Sequence, residues 1–233
     1  MISVIIPCHP PHVQYLKSRS INTILKGTLL PDEIIVALSE TSKEEGNKLE
    51  KELSNNFSFP IKVYTTTKKG YAGQNRNRGA QKAKHEILVF FDSDDLCHPQ
   101  KLEITNYVFD TYNIKMFLHH YAKNGTYSDF QWVDIKNIPF LLSEKIFYFT
   151  FGDTPKRENA TWIFTDRMTQ KEWVYVGQPT HGHCAVHRDV FHKVKYPSVS
   201  YGEDTTFCLD VLWEFKSVVY ADINLISHIK YRG

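Results

Sequence analysis

Strand-like runs alternate with helix-forming segments along the first half of the chain, and that alternation limits the fold more than any other feature. ISVIIP is a short β-branched run stopped by proline. The segment from Val13 to Lys26 behind it carries Val13, Leu16, Ile21, Ile24 and Leu25 at near-helical spacing. PDEIIVALSE repeats the apolar run, and TSKEEGNKLEKELSNN follows with Thr and Ser as caps and many helix formers. FPIKVYTTT, GQNRNRGAQKAKH, EILVFFD and HPQKLEITNYVFDTYN continue as strand, helix, strand and helix. The pattern predicts an α/β protein with a Rossmann-like, mostly parallel central sheet, helices on both faces and right-handed crossovers. Ligands of such sheets collect outside the carboxyl ends of the strands, so Pro7, Ser39, the 65–73 loop and Asp92 to Asp95 are expected to border one crevice.

The second half reads differently. KMFLHHYA, TYSDFQWVDI, EKIFYFTF, ATWIFT and EWVYVG are short aromatic and β-branched runs joined by turns, which predicts a smaller mixed or antiparallel sheet region. GHCAVHRDVFHKV is expected as a strand entering a short helix. GEDTTFCLDVLWEF is expected as a helix with Cys208, Val211, Leu212 and Phe215 on one face, before two closing strands, SVVYAD and NLISHIKY. At 233 residues the chain is read as one domain, 1–233, with a nucleotide-binding half over 1–112 and an acceptor-binding half over 113–233.

Composition excludes more than it selects. Lys plus Arg total 28 against 26 for Asp plus Glu, a balance that offers no broad field for nucleic acid or a membrane surface. The N-terminus lacks a basic leader and a long apolar core, and nowhere do eighteen apolar residues run together, so a soluble protein with no membrane span is expected. Cys8, Cys97, Cys184 and Cys208 are widely spaced and form no Cys-x-x-Cys pair, which fits a reducing, cytoplasmic compartment.

FFDSDD, residues 90–95, places three carboxylates behind an apolar strand. Acids crowded there repel one another unless a cation or a cap offsets them, and a hard divalent cation is the better account. If the strand continued, Asp92 and Asp94 would share a face with Ser93 opposite, at a spacing of roughly 6.6 Å. Oxygens on one Mg²⁺ lie about 3 Å apart, so one acid is expected on the ion and the other on a hydroxyl or water. Asp95 is expected to cap the turn that follows. KKGYAGQNRNRGAQKA adds a flexible basic loop running into a helix N-terminus, which suits an anion but lacks the Lys-Ser/Thr ending of a P-loop.

Taken together, these motifs resemble family 2 glycosyltransferases with the GT-A fold, the nucleotide-diphospho-sugar transferases. ISVIIPCH is similar to that family's first strand and proline turn, and DEIIVALSE to its second strand. GQNRNRGAQKA is similar to its Ala-Arg-Asn-x-Gly helix start, and LVFFDSDDLCHPQKL to its Asp-x-Asp segment. The resemblance covers residues 2 to about 112 and returns at YGEDTTFCLDVL. It implies that Pro7 lines the nucleotide base, Arg76 lies near the base, Asp92 contacts the ribose, and Asp94 ligates Mn²⁺ or Mg²⁺ that bridges the diphosphate. Where the family usually has an Asp after its second strand, this chain has Leu38, Ser39 and Glu40, so Ser39 or Glu40 would hold the base; uracil, thymine and guanine stay open, with UDP placed first.

The resemblance also implies that Asp204, at a helix N-terminus, deprotonates a glycan or other hydroxyl acceptor, with inversion at the sugar, and that Glu203 is the fallback base or an acceptor contact. His228 is implied as a third metal ligand. Ser93 and His183 complete the substrate-binding set, and His181 shares a face with His183 if that stretch is extended. His119 and His120 read as structural, Cys184 as a buried thiol, and Trp132, Trp162 and Trp173 as core residues or sugar platforms. Two other readings compete: a sugar-phosphate nucleotidyltransferase, disfavoured by PCHPPH in place of a glycine-rich loop, and a sugar-nucleotide-binding domain without turnover.

Overall fold

The structure is a computed structural model, and it describes residues 1–135, 156–158, 161–165, 172–176, 182–215 and 217–229. β1 (Ile2–Cys8) is buried along its whole length, as a β-branched run central to a parallel sheet must be. It pairs in parallel with β2 (Glu33–Leu38) and β4 (Ile87–Phe90), and β2 pairs in parallel with β3 (Ile61–Thr65). The β1–β4 register ends at Ile5 and Phe90, so Pro7 stands past the last pair on that side, where a missing N–H costs no ladder bond.

The crossovers are helical, as the spacing predicts. Between β1 and β2 a 3-10 turn (Pro10–His12) and a short α segment (Val13–Tyr15) run through a π-helical stretch (Leu16–Ser20) into a last turn (Ile21–Ile24). α1 (Lys43–Phe57) starts on a capping box in which the Ser42 hydroxyl accepts from the Glu45 N–H and Glu45 accepts from the Ser42 N–H. α2 (Ala72–Lys82) connects β3 to β4, and α3 (Lys101–Thr111) follows the short β5 (Leu96–Cys97).

The second half adds strands to this same sheet. β6 (Met116–Lys123), β10 (Ala185–His187) and β11 (Val218–His228) join it, giving the order β3-β2-β1-β4-β10-β6-β11-β5, with β10 antiparallel to both neighbours. KMFLHHYA and the closing strands therefore belong to the main sheet, and SVVYAD and NLISHIKY form one strand with two irregularities in its pairing with β6. The expected smaller sheet exists as β7 (Lys156–Glu158), β8 (Thr161–Thr165) and β9 (Glu172–Val176), paired antiparallel. TYSDFQWVDI is not a strand: Thr126 accepts from the other end of a 3-10 turn, Tyr127–Asp129, and Asp129 bonds back to the Thr126 N–H, so local bonding wins over β propensity. EKIFYFTF and His181 lie outside the described residues, as do the side chains of Trp162 and Trp173; Trp132 is exposed.

Alternation along the strands divides the core in two. Val4, Ile6, Ile34 and Val36 face the side of the first crossover helix and Leu53 of α1, while Ile5, Ile35 and Leu88 face Ala80 of α2, α4 (Val190–Lys193) and α5 (Glu203–Phe215). Phe207, Cys208, Val211 and Leu212 bury one face of α5. Gly79 is required on α2 because a Cβ there would come within 2.5 Å of the Ile5 methyl on β1. That close approach sets the depth of α2 against the sheet and hence the position of Arg76 one turn earlier.

Candidate active site

A cavity of about 850 Å³ opens at the carboxyl ends of β1, β2 and β4. Pro7, Cys8, His9 and His12 border it from the first strand and turn, and Glu40, Lys69, Gly70 and Tyr71 from the loops after β2 and β3. Asp92, Ser93 and Asp94 form its floor, and Ser200 to Thr205 with His228 close the far side. The four loops expected to converge do so.

Asn75 holds the rim formed by the ends of β1 and β2 in place. Its side-chain amide donates to the Cys8 carbonyl at 2.9 Å and to the Ser39 hydroxyl at 3.3 Å, joining the ends of β1 and β2 to α2. Ser39 is therefore fully buried beneath the cavity, and the residue that reaches it from β2 is Glu40, which is exposed and holds φ at 56°. A left-handed non-glycine residue costs of order 1 kcal/mol and is kept where the surroundings fix it.

β4 ends at Phe90, so Asp92 to Asp95 form a turn instead of extending the strand, and the expected face-sharing of Asp92 and Asp94 does not apply. Asp92 Oδ1 accepts from Arg76 Nη2 at 2.7 Å, and its Oδ2 lies 3.4 Å from His183 Nε2. Burial works against its charge, but Arg76 and His183 outweigh it and hold the carboxyl below the usual range. Asp94 faces the opposite balance: burial, then Asp92 and Asp95, push its carboxyl up, with His12 Nδ1 3.6 Å away.

Asp95 departs from expectation. It caps no turn; it is completely buried and accepts from His183 Nε2 at 2.8 Å, His228 Nδ1 at 3.1 Å and the Ile229 N–H at 2.8 Å. Those hydrogen bonds overcome the burial penalty and keep it ionised far below the ordinary carboxylate range, while Asp95 in turn raises the pKa of His228. Behind His183 its carbonyl accepts from the buried Lys101 ammonium at 3.1 Å, whose pKa burial pushes down to about 8; Lys101 also lies 2.5 Å from His119. His183 is thus a buried support and not a wall of the cavity.

The donor set fits a divalent cation. Asp92, Asp95 and His183 place ligand atoms within 4.8 Å of one another, but Asp95 and His183 are buried and bonded to each other. Asp92, Asp94 and His228 line the cavity and would meet an ion entering from it. With Nδ1 committed to Asp95, His228 has Nε2 left for a metal, the carboxylate–histidine arrangement that raises imidazole basicity. Carboxylate oxygens with one imidazole suit Mn²⁺ or Mg²⁺, and a cation would relieve the crowding that raises the pKa of Asp94.

Asp204 sits in the first turn of α5, where the helix dipole favours an anion. Burial dominates nonetheless and raises its carboxyl pKa, which makes it a better proton acceptor than a solvated aspartate. Glu203 points inward and accepts from Arg76 Nη1 at 2.9 Å. Arg76, expected near a base, is buried and bonded to Asp92 and Glu203. Sequence reasoning missed the anchoring role of Asp95 and the presence of His9, His12, Lys69 and Tyr71 on the cavity wall. PCHPPH and the basic loop were the available signals for those four; none existed for Asp95, whose partners lie 88 and 133 residues away.

Comparison with known proteins places these features. The profile of "Glycosyl transferase family 2" matches residues 3–194. An uncharacterized glycosyltransferase of Nostoc sp. is 31% identical over 119 residues, 51% of this chain and 36% of its own length. Among solved structures, S. aureus TarS 1-349 in complex with UDP-GlcNAc superposes with a TM-score of 0.65 at 17% identity, over 100% of this chain and 59% of that one. The same protein in complex with UDP gives 0.63 at 15% identity, over 98% and 60%. At those identities the likeness is one of fold, and the chain spans about three-fifths of the TarS structures and about a third of the Nostoc protein.

Proposed function

The chain belongs to glycosyl transferase family 2, and we propose on that basis that it moves a sugar from a nucleoside-diphosphate sugar to an acceptor hydroxyl, with a divalent metal and with inversion. The observation that carries this reading is the meeting of the Asp92 to Asp94 turn and Asp204 of α5 across one cavity, from segments 110 residues apart. UDP is our choice of nucleotide; the UDP and UDP-GlcNAc complexes of TarS, a protein of the same fold, support it.

Position supports the following residue roles. Of the residues lining the cavity, we assign Pro7 and Glu40 to the nucleotide, Ser93 to the donor and Asp92 to the ribose. Asp94 and His228, with Asp92 beside them, would hold Mn²⁺ or Mg²⁺, which neutralises charge on the departing diphosphate when bound. Asp204 takes the acceptor proton as the hydroxyl oxygen bonds to the anomeric carbon, while the bond to the diphosphate oxygen breaks with its electron pair leaving on the nucleotide. Residues 1–112 serve the nucleotide and 113–233 the acceptor, although β6, β10 and β11 share the central sheet with β1 to β4. Four buried free thiols support a reducing, cytoplasmic setting, and among the described residues no helix is long and apolar enough to cross a membrane.

The test is nucleotide release from UDP-, GDP- and dTDP-sugars with Mn²⁺ and with chelator, in the parent and in Asp204→Asn. The expected outcome is metal-dependent release that falls by about 10² to 10⁴ in the variant, with nucleotide binding kept. Equal release in both proteins removes Asp204 as the base. The anomeric configuration of the product, followed by NMR, decides inversion.

A further inference from the structure

Arg76 is 2% exposed, yet its guanidinium is divided between two carboxylates from distant segments: Nη2 on Asp92 at 2.7 Å and Nη1 on Glu203 at 2.9 Å. It lies over the Tyr196 ring, 5.2 Å from its centroid, and Gly182 is opposite, where a Cβ would collide with it. The same face of α2 grips the approach to α5 in two further places. Asn77 donates to the Tyr196 carbonyl at 2.8 Å and accepts from the Tyr196 N–H at 2.9 Å. Gly73 leaves room for Glu203, Pro197 and Tyr196, each of which a Cβ would meet at 3.0 Å. Between these anchors the chain runs along the cavity edge: Tyr201 is 90% exposed, and Gly202 has φ +76° with open space where a Cβ would stand.

We propose that Arg76, on the cavity wall, is a positioning residue that sets the distance between Asp92 and Asp204 by bridging Asp92 to Glu203. The planar fork of arginine is what makes this possible, because two parallel acceptors can be held at fixed spacing by one rigid group, which the single ammonium of lysine cannot do. Glu203 is then the handle by which α2 orients the first turn of α5, and Asp204 is the next residue along. Misplacement of a reacting group by about 1 Å can cost 10²-fold in rate while leaving substrate binding intact.

The inference rests on the glycosyltransferase reading, and the experiment separates the two. The probes are UDP with Mn²⁺, titrated calorimetrically, and UDP-GlcNAc with Mn²⁺, followed by UDP release across pH, in the full chain, Arg76→Lys, Glu203→Gln and the double variant. Each single variant is expected to lower kcat about tenfold or more with UDP Kd and donor KM within about threefold, the acid limb of the pH profile retained, and the double variant no worse than the poorer single one by more than about twofold. Independent, additive losses overturn the bridge. So does a tenfold rise in UDP Kd in Arg76→Lys with kcat unchanged in Glu203→Gln, which makes Arg76 a nucleotide contact, or a lost acid limb in Glu203→Gln, which makes Glu203 the base. If Arg76→Lys does not fold, Glu203→Gln decides alone: unchanged kcat overturns the proposal. A folded parent that releases no nucleotide from any donor overturns the functional reading, and this inference with it.

Discussion

His228 Nδ1 lies 3.1 Å from Asp95 Oδ2, tying the end of β11 to the turn after β4 across 133 residues. The tie is buried on the Asp95 side and open to the cavity on the His228 side, so if His228 holds a metal, one carboxylate would serve both stability and ligand geometry.

Replacement of Asp95 by Asn tests both services. Charge-assisted hydrogen bonds contribute about 1.5 to 3 kcal/mol each, so Asp95→Asn is expected to lower stability by about 2 kcal/mol in denaturant unfolding. Outer-shell partners of metal-bound histidine typically change affinity by about 10- to 100-fold. Mn²⁺ affinity, measured by calorimetry, is expected to fall within that range.

The two partners titrate in opposite senses. Asp95 has a depressed folded pKa, so its contribution to stability is present above the ordinary carboxylate value of about 3.9 and is lost as pH falls through the folded one. His228 has a raised folded pKa, so its contribution is full below about 6.5 and is lost as pH rises through the folded value. The Tm difference between parent and His228→Gln is therefore expected to shrink at both extremes of pH and to be largest between them.

Asp204 gives a pH dependence of its own. Burial raises its pKa, and only the ionised form accepts a proton, so kcat is expected to fall as pH drops through a value above that of a solvated aspartate. A pH–rate profile that stays flat down to the ordinary carboxylate range contradicts this assignment.

Gly182 offers a steric check on the Arg76 bridge. A Cβ at that position would strike the guanidinium and lie 3.2 Å from Asp92 Oδ2. Gly182→Ala is expected to destabilise the protein by about 1 to 3 kcal/mol, the ordinary cost of overpacking, and to lower kcat more than UDP affinity.

What the sequence disclosed followed from local periodicity. ISVIIP, PDEIIVALSE and EILVFFD hold strands, and α1 starts on its Ser42 cap, because burial pattern and capping act within a few positions. The place of β10, antiparallel between β4 and β6, was not legible, since strand order depends on long-range packing. The same limit hid the site's wiring. Asp92 and Asp94 were found by composition, but the turn that separates them, the burial of Ser39 under Asn75, and the capture of Arg76 by Glu203 each depend on residues brought together by the fold.

The most direct test of the account is a thermal-shift titration of the folded chain with UDP, with and without Mn²⁺. A metal-dependent rise in Tm is predicted, corresponding to about 2.7 kcal/mol at a hundredfold excess over Kd, and it should vanish in Asp94→Asn. No shift with UDP, GDP or dTDP, with metal or without, contradicts the account.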